Sequence, residues 1–150
     1  MKAAAKWQKD GDFSVASIFD IPVKDESVDC LINVFAPMVE GEFARVLKKD
    51  GVRIMVIPAE RHLWQLKCAV YDEPYLNEVK DFSLDGFELL SRKTVADEIT
   101  LPCSEDIEAL FSMTPYYYKT GVEGQQRLSR LETLTTEIGF EVLAYRKNNI

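Results

Sequence analysis

The stretch Ile21-Pro22-Val23-Lys24-Asp25-Glu26-Ser27-Val28-Asp29 leads into the apolar run Cys30-Leu31-Ile32-Asn33-Val34-Phe35-Ala36. Phe43-Ala44-Arg45-Val46-Leu47-Lys48-Lys49-Asp50-Gly51 follows and opens a second apolar run, Val52 to Ile57. Val28 to Ala36 is almost wholly apolar, as a strand covered on both faces of a parallel sheet would be. Phe43, Val46 and Leu47 fall on one face of a helix expected over Val39 to Lys49. Lys48 and Lys49 suit the negative end of its dipole, and Asp50-Gly51 supplies the stop. Strand, helix, glycine, strand is the building unit of an α/β sheet.

Working outward, Ala3 to Lys9 reads as the tail of a helix halted at Asp10-Gly11-Asp12. Phe13 to Ala16 alternates like a short strand, and Ser17 to Ser27 is a loop in which Pro22 blocks regular pairing. After Pro58, Leu63, Leu66 and Val70 recur at helical spacing within Arg61 to Tyr71. Asp72 to Leu84 is a polar connection, and Phe87 to Ile99 alternates as a long strand. Cys103 to Phe111 is expected to be helical, with Ser104 as its N-cap. An aromatic loop, Met113 to Tyr118, precedes a helix over Glu123 to Glu137. A turn at Gly139 then leads to a last strand, Phe140 to Arg146. The expectation is one α/β domain over 1–150, its sheet mainly parallel with an antiparallel last strand.

The 150 residues suffice for one substantial core. Apolar content of 47% and charged content of 29% are those of an ordinary globular chain. No apolar run approaches the roughly 20 residues a membrane-spanning helix needs. The N-terminus lacks the apolar core of a signal peptide, so a cytoplasmic location is expected. A net charge of −7 argues against a broad nucleic-acid surface, though not against a local basic patch. Cys30, Cys68 and Cys103 are scattered without CxxC spacing, so they are expected to be reduced and buried, with no metal site.

In open α/β sheets, ligands lie beyond the C-terminal ends of the strands. Those ends are Ala16-Ser17-Ile18, Asn33-Val34-Phe35-Ala36-Pro37 and Pro58-Ala59-Glu60-Arg61-His62. His62 is the only histidine. Arg61 carries a planar fork suited to a phosphate or carboxylate, or forms a surface pair with Glu60. Tyr116, Tyr117 and Tyr118 could stack on an unpaired base or pack as core or lid. A GxGxxG loop, paired catalytic carboxylates and a Ser-His-Asp set are absent. Hydrolase and nicotinamide-dependent activities therefore have no motif behind them.

The run Ile21-Pro22-Val23-x-Asp25-x-Ser27-Val28-Asp29 resembles the loop before the fourth strand of class I S-adenosylmethionine-dependent methyltransferases. Ala44 to Gly51 is similar to their helix and turn before the fifth. Asn33-Val34-Phe35-Ala36-Pro37, Pro58-Ala59-Glu60-Arg61-His62-Leu63 and Met113-Thr114-Pro115-Tyr116 resemble the large-subunit ribosomal RNA guanine-N1 methyltransferases. That likeness runs over essentially the whole chain. It implies a partial Rossmann-like methyltransferase sheet lacking the first two strands, and S-adenosylmethionine as cofactor.

By the same resemblance, Ala16, Ser17, Ile18, Asn33, Val34, Phe35 and Ala36 face the cofactor. Pro37, Arg61, His62, Pro115 and Tyr116 face the ribosomal RNA substrate. No catalytic base is implied. The family's N-terminal zinc module, glycine-rich cofactor loop and ribose-binding acidic residue have no counterpart here. The chain is thus expected to be a fragment or truncated product, the C-terminal part of a catalytic domain, and inactive alone. The alternative is a non-catalytic remnant that self-associates through an exposed sheet edge, as a homodimer or swapped assembly.

Overall fold

The structure is a computed structural model that describes residues 6–78 and 83–148. Its elements are β1 (Val28–Val34), α1 (Glu40–Val46), β2 (Leu47–Pro58) and α2 (Trp64–Val70), then β3 (Phe87–Leu101), α3 (Ser104–Ser112), α4 (Val122–Leu128) and β4 (Leu134–Lys147). The strands form one sheet in the order β1-β2-β4-β3. Only one pairing is parallel. It is β1 with β2, joined through α1: Ser27 N donates to Val46 O and Lys48 pairs with Asp29, so both strands advance together. β4 runs against β2, from Ala59 N–Gly139 O at one end to Lys147 Nζ–Leu47 O at the other. It also runs against β3, since Arg92 and Thr94 meet Glu141 while Thr100 meets Thr135. The α/β class and the antiparallel last strand match expectation. The sheet is less parallel than expected because β4 inserts between β2 and β3.

Several boundaries shift. Helix α1 ends at Val46, and Leu47 already has extended backbone, so Lys48 and Lys49 lie on β2. Asp50 has φ 61° and forms a kink within that strand instead of a helix stop. Ser104 is the first residue of α3; Cys103 occupies the cap position, with no side-chain cap bond. The helix expected over Glu123 to Glu137 stops at Leu128, and β4 begins at Leu134, so Gly139 lies inside a strand. β1 is an edge strand, and of its residues only Asn33 is buried. Cys30 and Cys68 are exposed rather than buried. Phe13 to Ala16 forms no strand, since no described backbone pairs with it. Lys6 and Trp7 are helical, while Ala3 to Ala5 lie outside the described residues, as do 79–82 of the polar connection.

The chain divides into two compact units. The first takes Met1–Ile54, Ser83–Leu90 and Ala144–Ile150, within the described residues. Here Arg45 on α1 ties down the loop ahead of β1. Its Nη2 donates to Ile21 O and its Nη1 to Val23 O, both at 2.9 Å, and it pairs with Asp25 and Glu42. Glu42 in turn accepts the Ile21 N–H at 2.7 Å. Buried Arg53 lies with its guanidinium 4.7 Å above the Phe43 ring, a cation–π contact.

The second unit takes Met55–Phe82 and Ser91–Leu143. Leu63, Leu66, Val70, Ile107, Phe111, Tyr116 and Leu128 form its core, where α2, α3 and α4 meet. Arg127 on α4 satisfies the open end of α2, donating to Ala69 O at 3.2 Å and Val70 O at 3.0 Å. Gly124 lets the two helices approach, because a Cβ there would overlap the Val70 carbonyl oxygen. Lys67 is buried, its Nζ donating to Tyr75 O at 2.9 Å and Asn77 Oδ1 at 2.7 Å.

Candidate functional site

In the first unit, Ala16, Ser17 and Ile18 lie in a surface turn. Ser17 Oγ accepts the Phe19 N–H at 3.2 Å, and Ser17 O accepts the Asp20 N–H. Near the end of β1, Asn33 is buried and its Nδ2 donates to Pro37 O at 3.1 Å, closing the turn that carries Val34, Phe35 and Ala36. Phe35 adopts φ 50° within it and is exposed, as are Ala36 and Pro37. A left-handed phenylalanine costs about 1–2 kcal/mol, a strain of the kind that collects at functional loops.

These residues do not fit S-adenosylmethionine as a complete set. The Ser17 hydroxyl and the Asn33 amide are both used to shape their own turns. The glycines of this unit lie before residue 13 (Gly11), in α1 (Gly41), in β2 (Gly51) and ahead of β3 (Gly86), none of them following the C-terminal end of a strand.

In the second unit, the end of β2 and the facing parts of β3 and β4 border an open pocket of about 470 Å³. Ala59, Glu60, Arg61 and His62 line it from β2 and its turn, Thr94, Ala96 and Asp97 from β3, and Glu137, Ile138, Gly139 and Glu141 from β4. The turn is held by backbone: Ala59 N to Gly139 O at 2.9 Å and Leu63 N to Glu137 O at 2.7 Å. Asn77 adds a brace, its Nδ2 donating to Ala59 O at 2.8 Å. Leu63 takes φ 57° to enter α2, the second strained residue in an expected site segment. Gly139 permits the close approach, since a Cβ there would lie 3.1 Å from that of Ala59.

His62 Nδ1 accepts the Gly139 N–H at 3.2 Å, and the ring packs 5.0 Å from that of Phe140. Burial pushes its pKa below the usual 6.5, and the charge of Lys67 acts in the same direction. Arg61 is engaged: its Nε and Nη2 clasp the Glu137 carboxylate at 2.6–3.0 Å. Arg61 and Gln65 together hold the Glu137 carboxyl below the ordinary range. Glu141 is buried and bonded to Arg92 at 2.9 Å and Thr94 at 2.8 Å, with Arg92 lowering its pKa.

Tyr116 sits in the core at 9% exposure, and burial with neighbouring Tyr75 and Tyr71 pushes its phenol up to about 12. Pro115, Tyr117 and Tyr118 are exposed, with the Tyr117 ring packed 5.6 Å from that of Phe111 and 5.2 Å from that of Tyr118. Sequence reasoning missed Gln65, Asn77, Glu137 and Glu141. Glu141 falls on the expected last strand, and Glu137 where a helix was expected. The β-branched run Thr135, Thr136, Ile138 was the available signal for a strand there.

No family model matches the chain. Among curated proteins it is 26% identical over 144 residues to YxjB of Bacillus subtilis (strain 168), whose name assigns it provisionally to the 23S rRNA guanine-N1 methyltransferases. That alignment takes in 93% of this chain and 51% of the relative, so the chain spans about half the relative's length. It is 31% identical over 71 residues to the 23S rRNA (guanine(748)-N(1))-methyltransferase of Streptomyces fradiae, covering 47% of this chain and 25% of that one. Among solved structures, the YcgJ protein of Bacillus subtilis matches with TM-score 0.53 at 13% identity, over 99% of this chain and 77% of that one. The last likeness is one of fold. In sequence this chain is similar to the 23S rRNA guanine-N1 methyltransferases, and in fold it carries a partial Rossmann-like α/β sheet.

Proposed function

We propose that this chain is the substrate-side part of an S-adenosylmethionine-dependent methyltransferase that acts on guanine N1 of 23S-type ribosomal RNA. The observation that carries the proposal is similarity to the Bacillus relative over 93% of the chain. Arg61 and His62, on the braced turn after β2, are assigned to the substrate. Asn33 to Ala36 are assigned to the cofactor side. Bound, the cofactor would supply an activated methyl group. The residues present here do not form its complete site, so the isolated chain is proposed to be inactive. A chimera tests this directly: this chain replaces the matching half of the Bacillus relative and is expressed with 23S rRNA. A guanine N1-methyl group stops reverse transcriptase, so a new primer-extension stop at a guanine is expected. A folded chimera that binds S-adenosylmethionine and leaves the rRNA unmarked would contradict the proposal.

We also propose that the exposed edge strand β1 pairs with another chain, an unpaired edge being a template for association. Ile32 is 65% exposed and Val34 52%. Light scattering at high concentration should give a mass above 17.1 kDa. A monomer mass there would refute it.

A further inference from the structure

We propose that the groove between α3 and α4 is a docking site for a basic peptide segment, whose apolar side chains sit on the groove floor and whose Lys or Arg residues meet the carboxylates on its rim. The two helices border an open groove of about 680 Å³, wholly within the second unit. Phe111 and Leu128, both core residues, line it together with Ala109 and with Val122, which is 72% exposed. The Tyr117 ring packs on Phe111 and meets the exposed Tyr118 ring edge-on, which extends the apolar surface. A contiguous exposed apolar surface rimmed by polar groups marks an interaction site.

The rim sets the chemistry of the occupant. Glu105 and Glu108, three residues apart on α3, share one side of the helix, and no lysine or arginine lines the groove. Neither carboxylate forms an ion pair among the described residues, whereas Glu137, Glu141 and Asp72 of the same unit are each matched by an arginine. The uncharged groups add acceptors. The Ser112 hydroxyl donates to Ala109 O at 2.8 Å and the Ser129 hydroxyl to Gln126 O at 3.0 Å, so each has only lone pairs left to offer. Gln125 Nε2 donates to Thr120 O at 3.1 Å, which leaves Oε1 as its open acceptor. A rim of acceptors suits ammonium and guanidinium groups, which only donate. It repels phosphate oxygens, so RNA is the wrong occupant. Carboxylates at this spacing also match Lys or Arg residues three or four apart on an amphipathic helix. The nine residues of α3 span about 13 Å, room for about two turns of such a helix. This partner is distinct from the substrate, and its docking does not depend on the methyltransferase assignment.

The test is fluorescence anisotropy of a labelled peptide of about three Leu-Leu-Lys-Lys repeats, amphipathic as a helix, titrated with the full chain. Micromolar binding is expected. Glu105→Gln/Glu108→Gln should weaken it about fivefold or more, as the loss of two exposed ion pairs would. Asp10→Asn/Asp12→Asn removes the same net charge from exposed positions of the first unit and should leave the affinity within about twofold. Val122→Ser should weaken binding about threefold or more, and a Gly-Ser-Lys peptide of equal charge about tenfold or more. All five substituted residues are exposed, so the variants should melt with the parent chain. Equal losses in the two double variants would reduce the effect to net charge and overturn the proposal, as would no binding at all. Oligouridylate binding that weakens in Val122→Ser would give the groove to RNA, and a fall in the chain's own mass in that variant would give it to a second copy. Either result overturns the proposal.

Discussion

Glu42 is held by Arg45, and also by the Ile21 N–H, so firmly that its carboxyl titrates at about 2 instead of 4.5. The folded state binds that proton less readily than the unfolded chain. The ionised carboxylate therefore contributes stability above pH 4.5 that is lost as pH falls toward 2. Glu42→Gln should lower the melting temperature at neutral pH, and thermal melts across an acid series should show the two proteins converging. His62 acts at milder pH with the same sign. Its folded pKa lies below 6.5, so the unfolded chain takes up the proton first and stability falls as pH drops through and below 6.5. His62→Gln should flatten that part of the profile. Neither partner could be read from sequence. Arg45 and Glu42 were visible on a helix, but the carbonyls of Ile21 and Val23 that complete the clamp depend on a loop conformation. Gly139, which orients His62, lies 77 positions away along the chain.

Elements were legible where periodicity was long and failed where short-range signals competed. β3 matches its alternation closely, and α2 and α3 sit where their apolar spacing put them. β4 was missed over Leu134 to Gly139, because charged and polar residues there fit a helix as well as a strand. A neighbour on each side settles it as strand, with Glu141 buried and bonded to Arg92 and Thr94 of β3. Where α2 and α4 meet, packing leaves no slack. Gly124→Ala would force a methyl group onto the Val70 carbonyl and to 2.6 Å from Thr120 Cγ2. A loss of about 1–3 kcal/mol is expected in urea unfolding, despite alanine's better helix propensity. Leu66→Ala removes a side chain with 0% exposure from the centre of the same core. Its cost should be about 2–5 kcal/mol. An unchanged urea midpoint in either variant would contradict the packing described.

At the scale of the whole molecule, the expected strand-end segments divide between the two units. The first contributes the Ser17 turn and the Asn33–Pro37 turn, and the second the pocket around His62. The fold class was legible because apolar runs and the charged turn before β1 are local patterns. The order β1-β2-β4-β3 came only with tertiary pairing. The resemblance in the motifs agrees with the relatives, of which the Bacillus protein is matched over about half its length. The central claim is that this chain carries the substrate side of a methyltransferase without a complete cofactor site. Titration calorimetry of S-adenosylmethionine into the full chain tests it most directly. The account predicts no saturable heat at micromolar cofactor. One-site binding with a micromolar dissociation constant would contradict it.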